Sequence, residues 1–173
     1  MNFEDINFKI VIATLLIALV FLLSVKYLYN WYNLESPLEN ALAKDNRIQS
    51  FSIDKSADTF KISVILNNKF DDLSEVYSDL KNTLESILKN RNYRLDVKGL
   101  ENEKLQAAYY NMHFSLYENI IKNNFIKIDN DIKKIADQYA ISEYKIIIDR
   151  ENVYLMLRDK GNGLYKIIER EKD

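Results

Sequence analysis

The sequence predicts an α+β protein: a single N-terminal transmembrane helix, a small α-β-β-α-β sandwich unit, then a helix pair with a three-stranded antiparallel meander. Three observations predict it. Between Ile10 and Val25 no residue is charged. Further on, apolar and polar residues alternate in short segments with the period of two that marks half-buried strands. Between those segments, apolar residues recur at the three- and four-residue steps of amphipathic helices. With Gly 3 and Pro 1 in 173 residues, short polar turns must join the elements.

The apolar run carries only two hydroxyl side chains, Thr14 and Ser24. A bilayer core asks for about 20 apolar residues, so the run alone is short. Lys26 could snorkel to the headgroups, and Tyr27, Tyr29, Trp31 and Tyr32 would form an interfacial aromatic belt. Ile10, Leu15, Leu19, Leu22, Tyr27 and Trp31 are therefore the expected membrane-anchor residues. No small-residue cleavage site follows directly, which argues against a removed signal peptide. The expected location is a cell membrane, crossed once, with the lipid bilayer as a partner. Lys26, Lys44 and Arg47 after the span favour a cytoplasmic domain; the short tail before a signal anchor favours the other side, which is the reading taken.

Residues 1–33 are thus tail and anchor, 34–99 the α-β-β-α-β unit, and 100–173 the last unit, either separate or sharing one sheet with it. Ser36-Pro37-Leu38-Glu39 reads as a capping box opening a helix over 37–46, with Leu38, Ala41 and Leu42 inward. Phe51 and Ile53, then Phe60, Ile62, Val64 and Leu66, alternate with polar residues on either side of a turn at 55–58 and predict a hairpin. Asp71 and Asp72 open a helix carrying Leu73, Val76, Leu80, Leu84 and Leu88. Tyr93, Leu95 and Val97 form a third strand before Gly99. The helix-strand-strand-helix-strand layout of residues 37–98 resembles the ring-building domains of bacterial sporulation channels and secretion-system basal bodies. That resemblance implies assembly by side-by-side packing.

A long helix is expected over 102–122, with Leu105, Ala108, Tyr109, Met112, Leu116 and Ile120 as its stripe. Asp129 or Asn130 is expected to cap the next helix, with Ile132, Ile135 and Ala136 inward. Strands over 144–149, 153–158 and 164–169 close the chain, and the unalternating Ile146-Ile147-Ile148 marks the first as a central strand.

Composition excludes several chemistries. The absence of cysteine removes disulfides, thiolate metal sites and cysteine nucleophiles. A net charge of -2 with interleaved signs leaves no basic stripe for nucleic acid. The abundance of Lys, Asn, Ile and Tyr fits an AT-rich bacterial genome. His113 is the lone histidine and has no second ligand to form a metal set. Asp71-Asp72 read as a helix start. Asp129-Asn130-Asp131 lack the glycine and distal glutamate of a calcium loop. Gly161-Asn162-Gly163 is a hairpin turn, with no phosphate-binding motif around it. Lys89, Arg91, Arg94 and Lys98 form a mild basic cluster that either lies on headgroups or is a solvated edge.

No catalytic, cofactor-binding or metal residue is assigned, and no enzyme is expected. The expected function is a non-enzymatic interaction or assembly module of a bacterial membrane complex, with other membrane proteins or further copies of itself as partners. Tyr110, Phe114 and Tyr117, spread around the long helix with Tyr109, are the candidate partner surface. A membrane-tethered small-molecule sensor is the alternative, and an enzyme built on scattered carboxylates comes last.

Overall fold

The computed structural model describes residues 8–30, 34–56 and 59–170, without the side chains of residues 8, 26, 27, 29 and 30. The chain divides into two compact units, Met1–Ala41 and Leu42–Asp173.

In the first unit, α1 is helical over Phe8–Asn30. Every large apolar side chain it displays from Ile10 to Leu28 is between 44% and 69% exposed. The Thr14 and Ser24 hydroxyls turn back onto the carbonyls of Ile10 and Val20, so neither creates a polar face. The expectation of a single N-terminal transmembrane helix is nevertheless corrected. Among the described residues no helix is long and apolar enough to cross a membrane. The uncharged stretch, residues 10–25, rises about 24 Å at 1.5 Å per residue, short of the roughly 30 Å hydrocarbon core. Of the expected aromatic belt, Trp31, Tyr32 and the side chains of Tyr27 and Tyr29 lie outside the described residues.

The second helix, α2, spans Ser36–Lys44 with Leu38 and Leu42 buried and Ala41 half-buried. A π turn at Leu34 and Glu35 precedes it, so Ser36 sits within helical backbone. Its hydroxyl accepts from the Asn40 side chain at 3.3 Å instead of capping, and the expected capping box is not made.

Two separate three-stranded sheets follow. In the first, β1 (Ile48–Ser56) and β2 (Thr59–Leu66) are antiparallel, pairing Phe51 with Val64 and Ile53 with Ile62. Of the expected turn, Ala57 and Asp58 lie outside the described residues. Strand β3 (Asn92–Lys98) runs parallel to β2. A parallel neighbour needs a crossover, supplied by α3 (Leu73–Leu88) with Leu73, Val76, Leu80, Leu84 and Leu88 buried.

Helix α3 begins where its cap dictates. The Asp72 carboxylate accepts from the backbone N–H of Ser74 at 2.8 Å and of Glu75 at 3.2 Å. Asp72→Ala is expected to cost about 1 kcal/mol, read as a shift of the urea midpoint. Hydrogen bonding from the Ser74 hydroxyl, opposed by burial, holds this carboxyl below its ordinary value of 3.8. A folded-state pKa below the unfolded one gives stability that is complete above about pH 5 and is lost as pH falls through the folded value. The gap between parent and variant should therefore close on acidification below about pH 5.

Helix α4 (Glu103–Ile121) is capped by Asn102, whose side chain accepts from the Leu105 N–H at 2.9 Å. Asn123, at φ 51, ends it: the N–H of Asn124 reaches the Asn119 carbonyl and that of Asn123 reaches Ile120, the paired bonds of a Schellman stop. Helix α5 (Phe125–Gln138) then starts from Asn124, five residues before the expected Asp129. Asp129, Asn130 and Asp131 lie inside it.

The second sheet has the order β4-β5-β6, from β4 (Glu143–Ile148), β5 (Asn152–Asp159) and β6 (Asn162–Glu169). Both pairings are antiparallel, as expected of the meander. Strand β4, expected to be central, is an edge strand; Ile146, Ile147 and Ile148 are each only half-buried. The central strand is β5, buried at every position. Its Val153, Leu155 and Leu157 join Leu105, Met112 and Leu116 of α4 and Ile128 and Ile132 of α5 in one core. Each such aliphatic contributes about 1.5–3 kcal/mol.

Candidate functional site

The other face of β5 carries a polar cluster that the pattern of residues did not announce. Arg158 is 8% exposed. Its guanidinium donates to the Phe70 carbonyl and, at 3.3 Å, to the Tyr165 hydroxyl. It also lies over the Phe70 ring, 4.8 Å from the centroid. The Tyr165 hydroxyl donates to the Asn68 side chain at 2.6 Å, and burial pushes its pKa up. These contacts tie the loop between β2 and α3 to β5 and β6. Among the described residues no buried side-chain nitrogen or oxygen lacks a hydrogen-bond partner, so the cluster reads as a fastening between the sheets.

Two further clusters are structural in the same sense. Asp131 of α5 accepts from Ser115 and Asn119 of α4, which is what the Asp129-Asn130-Asp131 segment does here. Asp159 pairs with Lys104 at 2.9 Å and accepts from the Ser142 hydroxyl at 2.8 Å. The Lys104 ammonium, then Ser142, hold its pKa below the ordinary value. Asp71 and Asp72 do not share a site: one caps α3, and the other offers its carbonyl to Lys145. Among the described residues, no group of three or more His, Asp or Glu is placed to hold a metal ion.

His113 is half-buried, donates its Nδ1 proton to the Tyr110 carbonyl at 2.5 Å and lies with its ring centroid 3.8 Å from that of Phe114, tilted by 40°. Lys89, Arg91, Arg94 and Lys98 are all exposed, with Lys98 engaged by Asp96 at 2.7 Å. Where β3 meets β6 lies an open cleft of about 180 Å³, lined by Tyr77, Asp96, Lys98 and Lys166 among others.

The outer face of α4 differs from all of these. Tyr110 is 65% exposed, Phe114 66%, Tyr117 46% and Ile121 74%. With the exposed Ala107 they stand at successive intervals of three, four, three and four residues. At 3.6 residues per turn this is one stripe, opposite the buried Leu105, Ala108, Met112 and Leu116. The sequence suggested aromatics spread around the helix. The structure separates them: Tyr109 is half-buried beneath the Lys166 ammonium, 5.2 Å from its ring, and the other three share the outer face. Tyr117 and Ile121 continue into a groove of about 190 Å³ with Asn123, Ile168 and Arg170. Of the expected anchor residues, Ile10, Leu15, Leu19 and Leu22 are exposed on α1. Comparison with family models, with curated proteins and with solved structures finds no match to this chain.

Proposed function

We propose that this chain is a non-enzymatic interaction or assembly module of a membrane complex, drawn there by the apolar side chains of α1. The observation that carries the reading is their exposure on every face of that helix. Burying that many aliphatic side chains would gain at least about 10 kcal/mol, comparable to the whole stability of a typical domain. Such a helix is covered by other apolar groups wherever the protein works. The second unit supports the reading through the outer stripe of α4, since contiguous exposed apolar surface marks interaction sites. Its buried charges are engaged in fastening elements together, which supports a scaffold over an enzyme. A small-molecule sensor draws less support: the β3–β6 cleft and the cleft beside Tyr77 and Tyr154, about 180 and 330 Å³, lie below or only at the lower end of the roughly 300–1,000 Å³ of ligand sites.

Cell fractionation tests the reading. The full chain is expected with membranes, retained through a high-salt wash and released by detergent. Leu15→Lys, Leu19→Lys and Leu22→Lys together should return it to the aqueous fraction. A parent chain that stays aqueous, or a triple variant that sediments with membranes as the parent does, would overturn the proposal.

A further inference from the structure

We infer that the outer stripe of α4 is a self-association surface, on which the same helix of a second copy packs antiparallel. The inference rests on the reading of this chain as an assembly module and names one partner for it. Ala107, Tyr110, Phe114, Tyr117 and Ile121 follow the three-four spacing of a coiled-coil seam, and it is the outward side of α4 that carries them. A two-fold axis near Met112 sets Tyr110 against Phe114 of the second copy. The same axis sets the small Ala107 against the large Tyr117, so the seam is complementary in size to itself. Interfaces between identical copies are commonly of this isologous kind.

Charge selects the direction. Glu103 lies in the first turn of α4, while Lys122 caps its far end. In an antiparallel pair the exposed Glu103 comes opposite Lys122 of the second copy, whose ammonium pairs with Glu118 of its own helix. A parallel pair would set each of these charges beside its own like. Antiparallel packing also opposes the two helix dipoles. The groove holding Tyr117 and Ile121 then faces the end of the second copy at which Leu100 is exposed.

Area is adequate for a modest dimer. Three aromatics of about 150–250 Å² each when fully exposed, at the exposures found, supply with Ile121 about 400 Å² of apolar surface per copy. Interfaces are somewhat over half apolar, so the total approaches the roughly 800 Å² per partner of a specific complex.

The chain has no cysteine, so single introduced thiols report proximity cleanly. In the full chain in mild detergent, Glu103→Cys and Lys122→Cys variants mixed in equal amounts should form a mixed disulfide at least tenfold faster than either forms alone. Adding Tyr110→Ser and Phe114→Ser to both should abolish that rate while leaving the thermal melt in place, because the altered side chains are solvent-exposed. Mixed disulfides forming no faster than with a control thiol at exposed Lys133, or Glu103→Cys linking best to itself, would overturn the inference. Insensitivity of the rate to the two serines would overturn it too. Fractionation reads α1 and cross-linking reads α4, so each proposal can fail without the other.

Discussion

Gly99→Ala is expected to destabilise the protein by more than about 3 kcal/mol, at the upper end of single-substitution effects. The reason is a close approach between backbones. A Cβ at Gly99 would stand 2.2 Å from the Gly163 carbonyl oxygen and 2.6 Å from its carbon, where ordinary contacts lie near 3.5 Å. Backbone atoms cannot turn aside as a side chain can, so the end of β3 and the start of β6 would have to separate. That movement would stretch the 2.9 Å hydrogen bond from the Gly163 N–H to the Leu100 carbonyl. It would also disturb Tyr165, whose ring is the third neighbour at 2.9 Å.

Gly161→Ala supplies the control. Gly161 follows Lys160 in a two-residue hairpin turn, both with positive φ, the type I′ geometry that suits a hairpin. A Cβ there meets nothing within 4 Å. Its substitution should cost only about 1 kcal/mol, from the backbone conformation alone. Urea unfolding of the two variants measures the difference; equal losses would show that the β3–β6 approach is not close-packed.

Neither the approach at Gly99 nor the cluster at Arg158 could be read from local pattern, because both depend on which sheet faces which. What was legible depended on signals confined to a few neighbouring residues. Asp72 and Asn102 announced the starts of α3 and α4 because a capping side chain acts on N–H groups two or three residues away. The strands of the first sheet showed their alternation, and the last two turns their Asp and Gly. The expected start of α5 falls too late because Asp129 and Asn130, the two caps read from the sequence, have the same capping chemistry as Asn124. Asn124 serves, since the α4 stop at Asn123 leaves it where the next helix begins. Ile146, Ile147 and Ile148 suggested a central strand, yet an edge strand half-covered on both faces lacks alternation just as well. On α4, Tyr109 could not be separated from Tyr110, Phe114 and Tyr117 until the core fixed the rotation of the helix. On α1, composition was plain, but the length needed to cross a bilayer rested on its flank.

Arg158→Ala is expected to lower stability by about 3 kcal/mol, or roughly 6–12 °C in melting temperature for a chain of this size. The loss would come from hydrogen bonds and stacking rather than from an ion pair. Glu143, the nearest carboxylate, stands 3.4 Å away with its side chain 51% exposed. Such a pair is worth about 0–1 kcal/mol, so Glu143→Gln should barely move the melt. Removing Arg158 leaves the Phe70 carbonyl without its guanidinium donor and the Tyr165 hydroxyl without the bond to Nε. It also takes away the cation lying over the Phe70 ring. Arg158→Lys should recover less than half, because a point charge cannot serve the carbonyl, the hydroxyl and the ring together as a planar fork does. Full rescue by lysine, or a Glu143→Gln loss as large as that of Arg158→Ala, would show that simple charge pairing joins the two sheets.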